Sequence, residues 1–451
     1  MDVDVLVVGA GPAGLTAAAE LRRLGVPRVL VADREAAPGG VPRHSWHTGY
    51  GLRDLHRVLS GPAYARALAD AAVRSGAELR TGCTVTELRA GDALSAVLTS
   101  ASGVEEVGQA AVLLATGCRE RPRAARLVPG DRPPGVLTTG ELQQRVYLGG
   151  ERLAGRALVV GAEHVSFSAA VTLAHAGARV VALVTEYERQ QSYAAFRVGA
   201  ALRWGVPVWT STVVTRVTGA DGRLASVDVA DVAGGQPRTV ACDWLVFTGD
   251  WIPDHALARS SGLALDAGTR GPAVDTGLAT TAPGVFAAGN LIHAAETADV
   301  AALSGRHAAR QVAAFLAGRA AAASPAPPPV PVLAEPPLRW ISPNAVAAGG
   351  PAPPLGRFTL RTAKYRPLAR LEARQDGALL ARSRPVRLIP GRPVYLRAAW
   401  LAQVDPAGGP VRVGVEPAGL SRPRGRFREA WRLASPVPRR TRKDNGWLLS
   451  L

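Results

Sequence analysis

Short apolar runs alternate with alanine-rich stretches along the first 318 residues. Asp4–Val8 and Arg28–Ala32 have the continuous apolar character of buried strands, and Leu15–Leu24 lies between them with helical spacing. The same order returns later in the chain, where the apolar run Ala157–Val160 precedes the helical run Val165–Ala176. Strands that alternate with helices are typical of a parallel sheet covered by helices on its faces. The pattern therefore predicts an α/β fold for this part of the chain.

The last quarter of the chain has a different pattern. Residues 320–337 read AAAASPAPPPVPVLAEPP, in which proline removes backbone donors and favours extended geometry. We interpret 319–338 as a Pro/Ala-rich linker. Beyond it, Arg357–Arg361, Ala378–Arg382 and Pro393–Val404 are short, partly alternating and bounded by glycine and proline. These segments predict a small, basic, β-rich domain over residues 339–451.

Charge and cysteine content narrow the class of protein. The net charge is +17, and it is uneven: residues 1–335 hold 31 Arg/Lys and 30 Asp/Glu, whereas residues 336–451 hold 22 and 6. We interpret the basic surplus as solvated surface first, a surface for an acidic protein partner second and a nucleic-acid site a distant third, because no nucleic-acid-binding motif accompanies it.

Three separate cysteines exclude a disulfide scaffold and a CxxC metal or redox pair. We predict no metal site. No apolar run is long enough to span a membrane, and the acidic start is unlike a signal peptide, so we expect a soluble, cytoplasmic protein.

The first strand runs directly into a glycine-rich turn. Gly9-Ala10-Gly11-Pro12-Ala13-Gly14 stands between that strand and a helix, which is the GxGxxG order of a dinucleotide site. The helix N-terminus offers free N–H groups to phosphates, and Pro12 suits its first turn. Asp33 follows Gly14 by nineteen residues, at the end of the next strand, where an acid accepts hydrogen bonds from ribose hydroxyls. We predict a dinucleotide site formed by Gly9, Gly11, Pro12, Ala13, Gly14, Asp33 and the adjacent Arg34.

Three further segments narrow the kind of dinucleotide site. They are Gly39-Gly40, Ala115-Thr116-Gly117 and the stretch from Thr280 to Gly289-Asn290. Taken together and in this order, they resemble the two-dinucleotide-domain flavoproteins of the pyridine nucleotide-disulfide oxidoreductase superfamily. The resemblance covers residues 1–318. It implies FAD as cofactor, with Gly40, Thr116, Gly117, Gly289 and Asn290 among its binding residues. It also implies two Rossmann-like domains, with an NAD(P)-binding-like domain (123–247) inserted between the two parts of the FAD domain (1–122 and 248–318).

The chain departs from this family pattern at Asn290, where the family usually has Asp. An Asn side-chain oxygen can still accept a hydrogen bond from a ribityl hydroxyl, so FAD remains the expected cofactor.

The second fingerprint departs further. It keeps Gly161 but has Glu163 and Ser166 in place of the second and third glycines. A carboxylate at the second position would repel a pyrophosphate. Two interpretations stay open, namely NADH binding and a Rossmann domain kept for packing, with NADPH less favoured.

A third departure concerns the redox-active cysteine pair that disulfide reductases of the superfamily carry. The segment after Gly40 holds no cysteine, and Cys118 and Cys242 stand alone. We therefore expect that the protein is not a disulfide reductase.

The segment Gly39–Ser60 is rich in histidine, arginine and aromatic residues. It resembles the FAD-containing larger subunits of bacterial opine, hydroxyproline and related amine dehydrogenases and the hydrogen cyanide synthase group, in which such a chain has a second flavoprotein as partner. His44, His47 and His293 are candidate catalytic residues, because imidazoles near the flavin could relay a proton. Ordinary structural roles in a hydrogen-bonded loop are the alternative for each of them.

These observations predict an FAD-dependent oxidoreductase that transfers hydride between the flavin and a small amine or hydroxy substrate or NAD(P)H. One alternative is an FAD-containing electron-transfer subunit of a hetero-oligomer. Another is a non-catalytic binding or assembly module that acts through the basic domain.

Overall fold

The computed structural model describes residues 2–91, 93–192, 205–294, 296–318 and 328–417. The first domain folds around a sheet in the strand order β5-β2-β1-β8-β7-β6, and β19 (Val285–Ala287), from a later part of the chain, is added beside β8. β1, β2, β5, β8 and β19 are mutually parallel, and β6 and β7 extend the sheet as an antiparallel edge. The elements of the first part of this domain are β1 (Asp2–Val8), α1 (Pro12–Arg23), β2 (Val29–Ala32), β3 (Thr48–Tyr50), β4 (Leu59–Ser60), α2 (Gly61–Arg74), β5 (Glu78–Arg80), β6 (Cys83–Ala90), β7 (Leu94–Ser100), β8 (Gly103–Leu114) and β9 (Cys118–Glu120).

The second domain forms its own parallel sheet in the order β10-β17-β11-β12-β13, next to a three-stranded antiparallel sheet, β14-β15-β16. The central strand β11 is buried because its Ala157, Leu158 and Val159 side chains pack between helix α4 and the antiparallel sheet. The elements are β10 (Val136–Thr138), α3 (Thr139–Gln143), β11 (Arg156–Val160), α4 (His164–Ala176), β12 (Arg179–Val184), β13 (Val208–Trp209), β14 (Thr212–Ala220), β15 (Arg223–Asp231), β16 (Arg238–Ala241) and β17 (Trp244–Phe247).

The chain enters the second domain and leaves it through one antiparallel ladder, in which Cys118 pairs with Pro253. It then returns to the first sheet and ends this part in a long helix that packs on α1. The elements are β18 (Trp251–Pro253), α5 (Ala256–Ser260), β19 (Val285–Ala287) and α6 (Ala298–Gly318). Gly305 allows the close helix contact, because a Cβ there would overlap the Ala13 carbonyl oxygen. The long helix is amphipathic, and none of the described helices is long and apolar enough to cross a membrane.

The third domain has two sheets, β22-β20-β28-β24-β25 with β26 beside β24, and β21-β23-β27. A separate apolar core fills it. Its strands are β20 (Val330–Ala334), β21 (Leu338–Ser342), β22 (Ala345–Val346), β23 (Arg357–Thr362), β24 (Arg366–Gln375), β25 (Ala378–Arg382), β26 (Val386–Leu388), β27 (Val394–Arg397) and β28 (Val411–Pro417).

The predicted boundary of this domain at residue 339 is wrong. Val330–Ala334, which we assigned to the linker 319–338, is strand β20, and it pairs with β28 and β22. Val330 and Val332 are buried while Pro331 and Leu333 are exposed, so the segment alternates as a strand does. Residues 418–451 lie outside the described residues; they include Arg422–Arg428 and Arg439–Lys443, which contribute to the basic surplus, and Ser435–Lys443, which the sequence predicts to be a tail.

Candidate functional site

A continuous cavity of about 2500 Å³ lies where the three domains meet. The first domain contributes the glycine-rich turn after β1, the ends of β2 and β8, and the loop that precedes α6. The second domain contributes the start of α4, and the third contributes residues of β21, β23 and β27. The carboxyl ends of the parallel strands thus face the cavity, which is the usual position of ligands in such sheets.

Each of the three glycines of the first turn has a different physical reason for lacking a side chain. Gly9 has φ +108°, and a Cβ there would lie 2.5 Å from the Ala115 carbonyl oxygen. At Gly14 a Cβ would overlap the Gly9 carbonyl oxygen, so this glycine lets α1 pack on the turn. Gly11 differs, because a Cβ there would meet no protein atom within 4 Å and Gly11 lines the cavity. The middle glycine therefore leaves room for a ligand rather than for the protein.

The acid at the end of β2 is held at the cavity by backbone N–H groups. Asp33 Oδ2 accepts from Ala10 N–H at 2.5 Å, and Oδ1 accepts from Glu35 N–H at 2.8 Å. A carboxylate has about four acceptor positions, so Asp33 retains acceptors for ribose hydroxyls. Arg34 lines the same wall and pairs with Asp254 at 3.2 Å.

The remaining residues predicted for the cofactor also line or support this cavity. Pro12 begins α1, and Ala13 contacts the turn at Gly289, where a Cβ would lie 2.8 Å from the Ala13 Cβ. Gly40, at φ +60°, lies against Gly11, with only 3.0 Å between an added Cβ and the Gly11 Cα. The Thr116 hydroxyl donates to the Asp254 carbonyl at 2.8 Å, and Gly117, at φ +75°, is open to the cavity.

Asn290 has a structural reason to be an amide. Its Nδ2 donates to the Glu296 carbonyl at 3.1 Å, and its Oδ1 accepts from the Glu296 N–H at 2.8 Å. An aspartate could make only the second of these bonds. The side chain therefore closes the loop before α6, and its oxygen lies at the cavity with one further acceptor position.

The second fingerprint is closed by its own side chains. Glu163 is the N-cap of α4: its backbone N–H donates to the Ser166 hydroxyl at 3.2 Å, and its backbone carbonyl accepts from the Ser166 N–H at 3.1 Å. Gly161, at φ +131°, leaves space for the Thr248 hydroxyl, which lies 2.6 Å from the Ser166 hydroxyl. Burial raises the pKa of Glu163 to about 7, although Arg361 and Arg126 act to lower it. A carboxylate thus stands where the α4 N-terminus would meet a phosphate.

The third domain covers the same helix end. Arg392 donates through Nε to the Gln191 carbonyl at 2.5 Å and through Nη2 to the Ser192 carbonyl. The N–H groups of Gln191 and Ser192 both donate to the Ala162 carbonyl, at 3.1 Å. Gly391 lies 3.5 Å from Gln191, measured from the position of an added Cβ. The loop before β27 is therefore bonded to the segment that borders the second fingerprint.

The three candidate histidines lie in different environments. His44 and His47 line the cavity. His44 is buried, and burial lowers its pKa. His47 is exposed, and its Nδ1 lies 2.9 Å from the Thr48 carbonyl oxygen.

His293 is the one of the three candidate histidines that does not line the cavity, so the structure gives no support to its predicted position at the flavin. Its ring stacks on Trp340 at 5.2 Å, and Trp340 rather than His293 lines the cavity. Burial, aided by Arg361, lowers the pKa of His293 to about 3. An imidazole that stays neutral behind a tryptophan is part of the packing between the first and third domains.

The cavity-lining residues that the sequence did not indicate include Glu296, Trp340, Arg361 and Tyr395. Glu296 belongs to the loop that Asn290 closes, and the other three come from the third domain. The resemblance ends at residue 318, so no motif pointed to that domain. The alternation of Arg357–Thr362 places Arg361 among the polar positions, which predicts exposure, yet Arg361 is only 9% exposed, and buried arginines are rare.

None of the cysteines is placed like an activated thiol. Cys83 and Cys242 are buried, and all three cysteines are free. Burial raises the pKa of Cys118, which lines the cavity, well above its ordinary value, and raises that of Cys242 to about 12. A reactive cysteine needs a lowered pKa.

The comparisons with known proteins agree with this geometry. One opine oxidase subunit of Agrobacterium tumefaciens (strain Ach5) is 34% identical over 187 residues, which are 39% of this chain and 35% of that protein. The chain thus aligns with about a third of the length of that relative. The ferredoxin–NADP reductase of Ignicoccus hospitalis is 31% identical over 310 residues, 67% of this chain and 94% of that protein. The crystal structure of T. acidophilum thioredoxin reductase has a TM-score of 0.59 at 21% identity, and covers 70% of this chain and 99% of its own. This last likeness is one of fold.

The family comparison covers the first two domains. The model described as pyridine nucleotide-disulphide oxidoreductase matches residues 3–305, which include both fingerprints, the ladder between β9 and β18, and the Gly289-Asn290 turn. By this match, and by the cavity at the ends of its parallel strands, the chain belongs to the pyridine nucleotide-disulphide oxidoreductase family.

Proposed function

We propose that the protein is an FAD-dependent oxidoreductase that takes a hydride from a small amine or hydroxy substrate. The observation that carries this proposal is the opening at Gly11. The turn packs tightly at Gly9 and Gly14 but leaves the middle position free, and an acid stands at the end of β2. That combination fits the adenosine diphosphate half of a dinucleotide.

The residues present would hold FAD along the cavity. The N-terminus of α1, which begins at Pro12, would bind the pyrophosphate through its free N–H groups and positive dipole end. Asp33 would accept from the ribose hydroxyls, and the Asn290 oxygen from a ribityl hydroxyl. When bound, FAD supplies a two-electron acceptor for the substrate hydride. The protein's part is to bind and orient the substrate and to exclude water, which the third domain does by covering the cavity.

The state of the second fingerprint favours an organic substrate over a nicotinamide nucleotide. The Ser166 N–H, one of the donors that a phosphate would use, already donates to the Glu163 backbone carbonyl, and the Glu163 carboxylate would repel a pyrophosphate. Similarity to a ferredoxin–NADP reductase supports the other donor, NADPH. We favour the organic substrate, because the repulsion is built into this chain.

A second candidate function is that of one subunit in a larger oxidase. The similarity to a protein that is itself named as one of the subunits of opine oxidase supports it. Under this candidate the chain would still hold FAD but would pass electrons to or from a partner flavoprotein. Purification of a tagged chain from its native host would show such a partner at a fixed ratio.

Disulfide exchange is not part of the proposal. The three cysteines lie far apart in the sequence, and burial raises the pKa of both Cys118 and Cys242. Neither thiol would be a ready nucleophile at neutral pH.

The variant Gly11→Val tests the cofactor assignment. Because a Cβ at Gly11 meets no protein atom, the variant should fold normally and yet lose FAD, since the side chain occupies the space of the pyrophosphate. Flavin released from the denatured protein and measured by absorbance gives the FAD content. We expect about one FAD per chain in the wild type and less than about a tenth of that in the variant, the loss that a few kcal/mol of steric clash produces.

Gly91→Val is the matched control. Gly91 also has no atom within 4 Å of an added Cβ, but it lies away from the cavity, so this variant should keep its FAD. A fully loaded Gly11→Val protein would contradict the cofactor assignment. A wild-type chain that holds no FAD would favour a non-catalytic binding role instead.

A further inference from the structure

One carboxylate on the cavity wall lacks a hydrogen bond that burial demands. The Glu296 side chain is 4% exposed, and its Oε1 has no hydrogen-bond partner among the described residues. Its Oε2 has one long contact, 3.5 Å from the Tyr395 hydroxyl. An unsatisfied buried acceptor is destabilising, and more so when it is charged. Because Glu296 lines the cavity, a ligand can supply the missing donor.

A buried cation faces the same space. The Arg361 Nη2 lies 3.9 Å from Glu296 Oε1, which is too far for a hydrogen bond. Arg361 already donates through Nη1 to the Gly391 carbonyl, a bond that fixes the direction of its guanidinium. The side chain is 11% exposed and lines the cavity. A guanidinium has five donors in a planar fork, a geometry that matches a carboxylate.

Aromatic rings enclose this pair of charges. Trp340 lines the cavity, and its ring centroid lies 5.8 Å from the Arg361 guanidinium carbon. Tyr395 lies on the other side, where Arg357 stacks on its ring at 3.5 Å. The acid belongs to the loop before α6 and the arginine to the third domain. The space between them therefore forms only when the two domains are docked.

We propose that this part of the cavity binds a small zwitterionic amino acid, with its ammonium on Glu296 and its carboxylate on Arg361. The amino acid would be the substrate of the oxidoreductase proposed above, so this inference rests on that function. A zwitterion adds no net charge to a buried site, and it provides a donor for Glu296 and an acceptor for Arg361 together. A simple amine would leave the arginine without a new partner, and a simple carboxylate would leave Glu296 Oε1 unsatisfied.

Two properties of Glu296 make it suitable for this role. Asn290 holds both backbone groups of Glu296, so the backbone that carries the carboxylate is positioned without a ligand. The neighbouring surfaces also carry opposite charges at short range, which selects for a ligand whose own charges are close together.

The test is a binding titration by calorimetry on the FAD-loaded protein. The probes are L-alanine, L-proline and N-methylglycine, with N-acetyl-L-alanine as the analogue that lacks the ammonium and L-alaninamide as the analogue that lacks the carboxylate. We expect L-alanine to bind, with or without the other two amino acids, and we expect both analogues to bind at least about tenfold more weakly than L-alanine or not at all, because each analogue loses one of the two ionic contacts.

Three variants separate binding from structure. Glu296→Gln should weaken the amino acid about tenfold or more and should abolish the discrimination against N-acetyl-L-alanine. Arg361→Lys keeps the positive charge but loses the fork, so it should weaken the amino acid and reduce the discrimination against L-alaninamide. Glu335→Gln is the matched control, because Glu335 and Arg412 also form an ion pair of 3.9 Å, but at the surface. It should leave all affinities unchanged.

Each outcome decides the matter. Absence of binding by all three amino acids, equal binding of the analogues, or a Glu296→Gln protein that loses FAD while its discrimination between analogues is unchanged would overturn the inference. A chain that holds FAD but binds no amino acid would leave the proposed function standing. If the chain held no FAD, that function would fail first, and the same titration on the FAD-free protein would decide the inference by itself.

Discussion

Glu163 shows how a single residue can change the use of a nucleotide-binding fold. It stands where the fingerprint has its second glycine, and it caps the helix whose N-terminus would otherwise meet a phosphate. A carboxylate at a helix N-terminus is stabilised by the dipole and by the free N–H groups. The side chain, whose pKa burial raises to about 7, therefore brings a negative charge to the position of a nucleotide phosphate once the pH exceeds that value.

The pKa of Glu163 predicts a pH-dependent effect on stability. Burial raises that pKa from its ordinary value of 4.5 to about 7, so between these values the folded protein holds a proton that the unfolded chain has lost. This group therefore lowers the free energy of unfolding as the pH rises from 5 to 8. Glu163→Gln removes the cost of ionisation and keeps a side chain of the same size. We expect the variant to exceed the wild type in stability by the order of 1 kcal/mol at pH 8, and by much less at pH 5.

Urea denaturation at the two pH values measures this difference. Glu188→Gln, which removes an exposed carboxylate, is the control and should change the free energy of unfolding by less than about 0.5 kcal/mol at either pH. A Glu163→Gln protein that gained more stability at pH 5 than at pH 8 would show that the sign of this argument is wrong.

At the scale of single residues, part of the site could be predicted from the sequence. The spacing of Gly9, Gly11, Gly14 and Asp33 is local and has a fixed geometry, so it could be interpreted directly. The cap between Glu163 and Ser166, three residues apart, was also a local signal, and a search for helix caps would have found it. The partner of Asn290 was not predictable, because its bonds to Glu296 depend on how the loop before α6 folds over the cavity.

The element that changes most between sequence and structure is β20. Proline made its segment resemble a linker, but Pro331 lies at an exposed position of the strand and the valines on either side are buried. Proline is tolerated in a strand where its missing N–H breaks no essential ladder bond. The pairing of β20 with β28 joins residues some 80 positions apart, and such long-range pairing has no local signal.

Helix α4 gives the prediction at the scale of elements. Glu163→Gly removes the carboxylate from the N-terminus of the helix, so the helix end can accept a phosphate again. We expect NADH to bind several-fold more tightly than to the wild type, because one repulsive charge is worth about 1 kcal/mol at a partly screened site. Quenching of protein fluorescence by NADH measures the affinity.

Two further variants distinguish the effect of the Glu163 charge on NADH binding from the effect of the third-domain loop that covers the helix end. Glu163→Gln keeps a side chain of the same size at the helix end, so its gain in NADH affinity should be smaller than that of Glu163→Gly. Arg392→Ala, combined with Glu163→Gly, releases the loop that is bonded to Gln191 and Ser192, so we expect the double variant to bind NADH more tightly than Glu163→Gly alone. Unchanged or weaker NADH binding in Glu163→Gly would mean that this carboxylate is not what closes the site.

On the scale of the molecule, the third domain completes the cavity. It contributes Trp340, Arg361 and Tyr395 to the wall, and its Arg392 bonds to the border of the second fingerprint. Part of the basic surplus of residues 336–451 is therefore used inside the protein, rather than on the solvated surface that we expected first. The sequence revealed the domain's β-rich character but not its docking, which depends on side-chain bonds between segments about 200 residues apart.

The central claim is that this chain holds FAD and that its second nucleotide site is closed. The most direct measurement is anaerobic. The flavin spectrum of the purified protein is recorded, NADH and NADPH are added separately, and the flavin absorbance is followed. We predict a bound flavin that neither nucleotide bleaches within minutes and that an amino acid substrate does bleach. Rapid bleaching by NADH or NADPH would contradict this claim, because it would mean that the second site accepts a nucleotide despite Glu163.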